Sequence, residues 1–428
     1  MEQTTGTAVG TIPQGRWLHI LPVVFIMYTI AYVDRTNISM ALPSMSRDLN
    51  LTPTQAGGAA GIFFWGYLLL QIPGGYLAEH WSAKRFVSLL LVAWGACSVG
   101  CAFVHTPRQL LAMRLLLGVT EGGVWPATLV LVASWFPRAE HARANAYWML
   151  CQPASVIFTA PLSGWILNHW NWRVLLATEG ALPFAWLVIW WLMIYDHPRG
   201  ARWISASECD HLESTLSREA GDLVPVTPEP ILRTLVRPKV FFLTTIQFVD
   251  CVAGYSYLFW MPTALKRIGM RNDLLVGLLF AVPYLIAAAG MVINSRHSDR
   301  HHERRLHTAI PLLVGGLFLL TAIRMNGISP SLTFLFLALA GPCGYIILGP
   351  FWSIPSETFS PAALGTAMGT INAVGSLGGY FGPLAIGYIA QKTGNVYSGL
   401  NVAAWVMIAG FVVLLFFPDR WIVKSQTE

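Results

Sequence analysis

The chain has 428 residues, of which 55% are hydrophobic and 11% charged, and its formal net charge is +6. An ordinary soluble domain carries about a quarter charged residues, so this composition excludes a water-soluble globular protein. It predicts a polytopic membrane protein whose positive charge follows from membrane topology, and no nucleic-acid partner is needed to explain it.

Apolar stretches recur along the chain, and each is long enough to cross about 30 Å of hydrocarbon. The first begins at Trp17 and extends beyond the short apolar core of a signal peptide, so we expect a retained helix. The sequence therefore predicts an all-α integral membrane fold with twelve transmembrane helices. The predicted spans are 17–40, 53–78, 84–104, 108–135, 144–168, 173–195, 239–263, 273–294, 307–325, 330–356, 363–390 and 397–417.

Lys and Arg residues of the predicted loops are concentrated on the side of the membrane that holds both termini. Loops rich in Lys and Arg stay in the cytoplasm, so we expect both termini and the long middle loop to be cytoplasmic. The retained first helix and the modest loops favour the inner membrane of a bacterium. The six cysteines show no paired spacing and are interpreted as packing residues.

The longest polar segment divides six predicted spans from six others, and its prolines are typical of a linker. Ser205 and Glu208 in this segment have capping-box spacing, which predicts a short amphipathic helix near 206–219. The predicted organisation is an N-terminal tail (1–16), a six-helix bundle (17–195), a linker (196–238), a second six-helix bundle (239–417) and a C-terminal tail (418–428).

The two halves of the chain share landmarks at a nearly constant offset, which indicates an internal repeat. The matched pairs are Glu79 with Asp299, Phe136 with Phe359, and Pro161 with Pro383. A parallel repeat of six spans predicts two bundles related by a pseudo-two-fold axis along the membrane normal, with a central cavity between them.

Three motifs carry a resemblance to a known family: GGYLAEHWSAKR after the second span, SRHSDRHHERR after the eighth and RLLLGVTEGGVWP in the fourth. Through them the sequence resembles the major facilitator superfamily over essentially its whole length. A narrower set of motifs resembles the anion:cation symporter family, whose members carry galactonate, glucarate, tartrate and phthalate. These motifs are AYVDRTNIS, FFWGYLLLQIPGGYL, SWFPRAEHARA and WRVLLATEGALP. The resemblance implies proton-coupled uptake of a small organic anion, such as a sugar acid or another carboxylate, by alternating access.

The short charged loops after the second and eighth spans can tie neighbouring helix ends together at the cytoplasmic face. The alternative is that they are ordinary positively charged inner loops. The candidate residues of this cytoplasmic gate are Glu79, Lys84, Arg85, Asp299, Arg300 and Arg304.

Four charged residues, two of each sign, fall inside predicted spans of the first half: Asp34, Arg35, Arg114 and Glu121. A charge at bilayer depth costs at least a few kcal/mol, so each requires a partner, a wet cavity or a function. They either neutralise one another as buried ion pairs, or Arg35 binds an anion while a carboxylate takes up the coupled proton. The planar guanidinium matches a carboxylate, so Arg35 suits an organic anion better than a neutral sugar.

The resemblance assigns roles to these residues, with Asp34 and Glu121 as the proton-coupling carboxylates and Arg35 as the substrate-binding arginine. Arg114 would then pair with Glu121 or Asp34. The resemblance also indicates further substrate-binding groups, although a tyrosine or amide in a span equally suits helix–helix contact. These are Tyr32, Tyr67, Gln152, Asn372, Trp352 and Ser353.

Three other acids call for an interpretation. Asp250 in the seventh span is either a second-half proton site or an acid that lines the cavity or has its own protein partner. Glu179 is expected to cap the N-terminus of the sixth helix. Glu357 ends the tenth helix and is expected to contact the loop around Arg138 and Arg143.

Other function classes find little support. No nucleotide-binding loop is present, and the histidines fall mostly in loops, so neither an ATP-driven pump nor a membrane enzyme is expected. His301 and His302 lie among charged residues typical of a solvated loop, so no metal and no cofactor besides the coupling proton is predicted. An efflux antiporter, a facilitator of another solute and a non-transporting sensor remain alternatives. We expect a monomer in the lipid bilayer.

Overall fold

The structure, a computed structural model, describes residues 15–221, 237–359 and 361–418. These residues are helical almost throughout, and twelve helices, here α1 to α12, account for most of them. Some helices consist of consecutive segments. The helices are α1 (Leu21–Asp48), α2 (Pro53–Gly61 and Phe63–Leu77), α3 (Ala83–Cys101), α4 (Pro107–Gly122 and Val124–Trp135), α5 (Arg138–Met149 and Cys151–His169), α6 (Trp172–Gly180 and Leu182–Met193), α7 (Pro238–Arg267), α8 (Asp273–His301), α9 (Arg305–Met325), α10 (Pro330–Ala340, Pro342–Ile346 and Leu348–Thr358), α11 (Pro361–Gly375 and Gly378–Thr393) and α12 (Val396–Leu415).

Every predicted span corresponds to one of these helices, which confirms the predicted fold class. Within the described residues, ten continuous helical stretches are long and apolar enough to cross a membrane, and one of them, Pro53–Cys101, contains both α2 and α3. The chain turns between these two helices at Ser82, whose backbone is extended and whose hydroxyl accepts the N–H of Arg85. The remaining helix, α7, is continuous over 30 residues, but polar side chains such as Gln247 and Asp250 interrupt its apolar sequence.

The sequence motif Thr-Pro-x-Gln starts two of the helices in the same way. Thr52 before α2 accepts the N–H of Gln55, and the Gln55 side chain accepts the N–H of Thr52. Thr106 and Gln109 repeat this capping box at the start of α4. In both cases a proline occupies the first helical position, where its missing N–H costs nothing, so the boundary is well defined.

The linker contains the predicted helix at Ala206–Gly221, here called the linker helix. Only half of the predicted capping box forms, because Ser205 accepts the N–H of Glu208 while the Glu208 carboxylate binds elsewhere. The Glu208 carboxylate accepts hydrogen bonds from the backbone N–H groups of Gly15 and Arg16 and forms an ion pair with the Arg16 guanidinium at 2.9 Å. The linker helix is therefore fastened to the start of the first half. Residues 1–14, 222–236 and 419–428 of the predicted tails and linker lie outside the described residues, and the domain boundaries stay predictions.

The contact between Arg16 and Glu208 shows that α1 begins at the end of the bundle where the linker lies, here called the linker face. At the other end, the opposite face, the first half (α1–α6) meets the second half (α7–α12) closely. The helices α2 and α11 cross there, and so do α5 and α8.

These crossings bring helix backbones into contact at glycines. A Cβ atom added to Gly57 would lie 2.2 Å from the carbonyl oxygen of Pro383 in α11, and one on Gly277 would lie 2.1 Å from that of Ala160 in α5. Small residues allow such close approach of membrane helices. The structure is therefore closed at the opposite face.

Candidate transport site

A cavity of about 80 Å³ lies between the two halves and is lined by both. Much of its wall is aromatic, and its polar groups come from α1, α2, α5, α7, α10 and α11. The predicted site residues among its lining are Tyr32, Arg35, Tyr67, Gln152, Asp250, Trp352 and Asn372.

Arg35 is 3% exposed, and aromatic rings surround its guanidinium. The guanidinium carbon lies 4.4 Å from the ring centre of Tyr32, 5.0 Å from that of Phe63 and 5.2 Å from that of Tyr67. Stacking on aromatic faces orients an arginine and favours its charge. The Nε atom of Arg35 is buried and has no hydrogen-bond partner among the described residues. The guanidinium is thus held in place with its Nε donor unused.

Glu121 in α4 is the ion-pair partner of Arg35, with Nη2 of Arg35 3.2 Å from Oε2 of the carboxylate. The other carboxylate oxygen of Glu121 is buried without a hydrogen-bond partner among the described residues. Nη1 of Arg35 donates to the hydroxyl of Tyr255 in α7 at 3.5 Å. Arg35 therefore connects a carboxylate of its own half to a cavity residue of the other half.

Asp34 precedes Arg35 in the chain but lies away from the cavity. Its carboxylate accepts hydrogen bonds from Nε1 of Trp94 and the hydroxyl of Ser98, both in α3, and from Nδ2 of Asn37 at 3.2 Å. Successive residues of a helix point about 100° apart, so the two side chains face different surroundings. The structure brings Glu121 to Arg35 but places Asp34 inside the first half.

Arg114 does not form the predicted ion pair with Glu121 or Asp34. Its guanidinium donates to backbone carbonyl oxygens, that of Asp34 at 3.2 Å and those of Ala59 and Ala60 at 3.4 Å each. The carboxylate of Glu121 is turned towards Arg35 instead. Arg114 therefore ties α4 to the backbones of α1 and α2, which is a structural contact.

The polar residues predicted for the second half differ in position. Nδ2 of Asn372 in α11 donates to Oε1 of Gln71 in α2 at 3.4 Å, so this pair joins the two halves beside the cavity. Trp352 lines the cavity, whereas Ser353 does not belong to its lining. The hydroxyl of Ser353 donates to the carbonyl of Gly349 one turn earlier in its own helix, at 3.1 Å.

Asp250 lies on the cavity wall in α7. Its Oδ1 atom is buried without a hydrogen-bond partner, and we find no hydrogen bond or ion pair between its carboxyl group and any described residue. Of the interpretations from sequence, an acid satisfied by a protein partner does not fit this geometry, whereas a cavity-lining acid does. A second-half proton site stays a prediction.

Glu179 does not cap α6. The cap is Asn171, whose side chain accepts the N–H groups of Arg173 and Val174, and Glu179 lies two turns further along. Glu179 is 2% exposed, and its carboxylate accepts a hydrogen bond from the hydroxyl of Ser163 in α5 at 2.8 Å. Glu179 is thus a buried acid inside the first half.

The first charged loop is tied to α6 of its own half. Asp196, just after α6, accepts the hydroxyl of Ser82 at 2.6 Å and the backbone N–H of Lys84 at 2.9 Å. The Lys84 ammonium lies 4.9 Å from the ring centre of Trp191. The side chains of Glu79 and Arg85 are exposed. Of the candidate gate residues of this loop, Lys84 thus contacts α6 of its own half.

The second charged loop makes the equivalent contact inside the second half. Arg304 binds Asp299 at 2.5 Å and Glu357, at the end of α10, at 2.9 Å, while Arg300 is exposed. Burial alone would lower the pKa of Arg304, but the hydrogen bonds to these two carboxylates outweigh it and raise the pKa. Glu357 therefore contacts Arg304, and Arg143 of the predicted loop lies 3.9 Å from Glu140, while the side chain of Arg138 lies outside the described residues.

Sequence reasoning missed several residues of the cavity wall on α7. Gln247, Cys251 and Tyr255 line the cavity together with the predicted Asp250, and their spacing of four residues is that of one helix face. That spacing, on the turns around Asp250, is the signal by which they could have been found. Gln71 and Tyr28 carried no comparable signal.

Comparison with known proteins agrees with this fold. The family model described as Major Facilitator Superfamily matches residues 24–383. Among solved structures, the inward open conformation of the xylose transporter XylE from E. coli has a TM-score of 0.76 at 15% sequence identity, covering 96% of this chain and 98% of that one. At this identity the likeness concerns the fold alone.

Curated relatives include transporters with differently named substrates. A putative tartrate transporter of Agrobacterium vitis is 31% identical over 407 residues, covering 93% of this chain and 92% of the relative. A quinolone resistance transporter of Acinetobacter baumannii is 27% identical, covering 96% and 95%. A probable galactarate/D-glucarate transporter, GarP, of Escherichia coli (strain K12) is 28% identical, covering 93% of each chain. The chain therefore belongs to the major facilitator superfamily, as a multi-pass membrane transporter and not an enzyme, with relatives named for organic acids.

Proposed function

We propose that this protein is a proton-coupled symporter that takes up a small organic anion, a carboxylate such as a sugar acid. The observation that carries the proposal is the buried ion pair between Glu121 and Arg35, whose side chain lines the central cavity. The organic acids named for two of its relatives support the substrate class.

The ion pair links anion binding to protonation by simple competition. A substrate carboxylate that binds the guanidinium of Arg35 takes the place of Glu121, because both are ligands for the same donors. A buried carboxylate left without its partner is costly, and a proton removes that cost. Substrate and proton therefore bind together, with the anion on Arg35 and the proton on Glu121.

Asp34 is the second proposed proton-coupling residue. Its carboxylate is held by donors from α1 and α3, so a change in its charge would act on the packing of those helices. Arg114 binds the backbone carbonyl of the same residue and keeps this part of α1 in place.

The closed opposite face indicates one state of an alternating-access cycle. We propose that the linker face is cytoplasmic, as the charge bias of the loops predicts, so that the closed face is the outer one. Uptake requires the glycine crossings of α2 with α11 and of α5 with α8 to separate and form again in each cycle.

Export of a planar aromatic compound is a second candidate function. The cavity wall is rich in aromatic side chains, among them Tyr28, Tyr67, Trp125 and Tyr255, which suit stacking on an aromatic solute. One relative is named for quinolone resistance. In this alternative the ion pair of Arg35 would have a structural role, and the solute would be transported out of the cell.

The test is uptake of labelled sugar acids, dicarboxylates and aromatic acids into proteoliposomes, with and without an inward proton gradient. We expect gradient-stimulated uptake of an acid by the wild type, none by Arg35→Ala, and normal uptake by the control Ser353→Ala, since that side chain lies off the cavity. Glu121→Gln should exchange substrate across the membrane but fail to accumulate it. Movement of a quinolone and of no acid would replace the symport proposal with export.

A further inference from the structure

Asp250 is an ionisable residue in a membrane helix without a protein partner, and this arrangement requires an explanation. Intramembrane acids pair with other groups or mark the path of a substrate or ion, because an unpaired one is costly. The Asp250 carboxyl group lines the central cavity and makes no hydrogen bond with a described residue. A Cβ atom on Gly344 of α10 would lie 3.3 Å from Oδ1, so this oxygen packs against α10.

A second acceptor without a partner lies one turn earlier on the same helix face. The amide of Gln247 donates through Nε2 to the Sγ atom of Cys251 at 3.3 Å, while its Oε1 is buried without a hydrogen-bond partner. Both Gln247 and Asp250 line the cavity. The first half thus offers the donors of Arg35, and α7 offers acceptors that lack donors.

Charge balance indicates which donor belongs at Asp250. Arg35 and Asp250 are the charged residues among the described lining of the cavity, and Arg35 is already balanced by Glu121. When a substrate carboxylate replaces a protonated Glu121, an ionised Asp250 still lacks a counter-charge, and without a cation it would be neutralised by a proton. A hydroxyl group would donate a hydrogen bond but would not balance this charge, whereas an ammonium group does both.

The surroundings of Asp250 suit a cation. Tyr255 lies on the same helix, and Tyr345 and Trp352 of α10 line the same cavity. Aromatic faces attract ammonium groups, most strongly where water is excluded.

We propose that Asp250 is a specificity-determining residue that binds an ammonium group, so that the preferred substrate is a small acid carrying an amine. The inference rests on the proposed function, because Arg35 must bind the carboxylate of the same molecule. It narrows the substrate class from organic anions in general to zwitterionic acids with a carboxylate at one end and an ammonium at the other.

The test compares matched probes on the purified full-length protein by calorimetry. The probes are four amino acids: β-alanine, 4-aminobutyrate, 5-aminovalerate and 4-aminomethylbenzoate. Each is compared with two counterparts, one in which hydrogen replaces the amine and one in which a hydroxyl group replaces it. We expect one amino acid to bind at least about tenfold more tightly than both counterparts, since charge-assisted hydrogen bonds are worth that much. Asp250→Asn should abolish this preference without weakening the binding of the amine-free acid, and Ser353→Ala should keep the preference.

Equal affinities for the three members of every set in the wild type would overturn the inference, and this comparison does not depend on a variant that folds. A preference for the amine that survives in Asp250→Asn would also overturn it. Amine-free or hydroxylated acids that bind best and are driven by a proton gradient would refute the role of Asp250 but leave the proposed function standing. Binding of no acid at all would refute both.

Discussion

At the scale of single residues, Arg35 and Arg114 carry the same charge in the same half but have different surroundings. Arg35 lines the cavity and has a carboxylate partner, whereas Arg114 is buried on backbone carbonyls. Their roles should therefore separate when each is replaced.

Replacing Arg35 with lysine should weaken substrate binding about tenfold or more. An ammonium keeps the charge but lacks the planar fork for a carboxylate and the stacking on Tyr32 and Tyr67. The dissociation constant measured by calorimetry checks this, with thermal unfolding as the control for folding. An unchanged dissociation constant would contradict direct binding by Arg35.

Replacing Arg114 with methionine should lower stability by about 1–3 kcal/mol, because the hydrogen bonds that tie α4 to α1 and α2 are lost. Thermal unfolding of the detergent-solubilised protein measures the loss, and Arg35→Lys is the matched comparison. Should the stability of Arg114→Met stay at the wild-type value while substrate affinity falls, Arg114 would belong to the binding site instead.

The sequence was sufficient to locate the four charges but not to assign their partners. Their depth in the membrane follows from hydropathy, which needs no three-dimensional information. Their pairing depends on how each helix is rotated about its axis, and a rotation of about 100° separates Asp34 from Arg35. For this reason the sequence did not decide which carboxylate pairs with Arg35, and the ion pair predicted for Arg114 was wrong.

At the scale of helices, the crossing of α2 with α11 leads to a prediction with a control one residue away. Gly57→Ala should hinder closure of the opposite face, because its Cβ would lie 2.2 Å from the carbonyl oxygen of Pro383. In Gly58→Ala the nearest atom, a side-chain carbon of Leu384, lies 3.6 Å away, which is ordinary contact. We expect transport to fall at least about tenfold in the first variant and to stay normal in the second.

Alkylation of a cysteine introduced near the opposite face would report the cause of that loss. Greater labelling in Gly57→Ala than in Gly58→Ala would show that the face stays open. Equal labelling and equal transport in the two variants would contradict the proposed closure.

The start of α9 gives a pH-dependent prediction outside the membrane spans. The Glu303 carboxylate accepts the N–H groups of Leu306 and His307 at 2.7 and 3.1 Å. Burial would raise the pKa of Glu303, but these hydrogen bonds and the contact with His307 outweigh it and lower the pKa. A lowered pKa means that the ionised carboxylate stabilises the fold above its unfolded pKa of about 4.3 and loses this effect as the pH falls.

Glu303→Gln should therefore lower stability at pH 7 by about 0.5–1 kcal/mol, a typical value for a capping carboxylate. This difference should shrink as the pH falls through the lowered pKa of Glu303, because the wild type then loses the charge as well. Thermal unfolding at pH 7 and over a series of acidic pH values measures this, and a difference that does not shrink in acid would show that shape and not charge is responsible.

The helices themselves could be predicted well from sequence, because long apolar stretches and capping motifs are local signals. Thr52 and Thr106, each followed by proline, mark helix starts that the structure confirms. The prediction of the α6 cap was wrong, because it chose the acid Glu179 and overlooked Asn171, which directly precedes the helix.

At the scale of the whole molecule, coupling between proton and substrate gives the last prediction. If the anion binds only when Glu121 is protonated, its apparent dissociation constant should rise up to tenfold per pH unit once Glu121 is ionised. Glu121→Gln, which mimics the protonated side chain, should flatten this dependence. Binding measured over a series of pH values checks both, and a parallel slope in the variant would move the coupling to another acid.

The sequence predicts a central cavity, but the closed face and the contacts between the two halves were beyond prediction from sequence. Repeat landmarks and spans indicate two bundles, but the position of one bundle relative to the other depends on contacts such as Asn372 with Gln71, which have no local signature. The same holds for the free carboxyl group of Asp250, since a missing partner is visible only in three dimensions.

The closure of the opposite face depends on contact between helix backbones at glycines such as Gly57 and Gly277. The ion pair we find at that face, Lys266 with Asp273, lies within the second half. Dissolved salt screens charges and leaves steric contact unchanged. The balance between open and closed forms should thus be nearly independent of ionic strength, while the affinity for a charged substrate falls as salt is added.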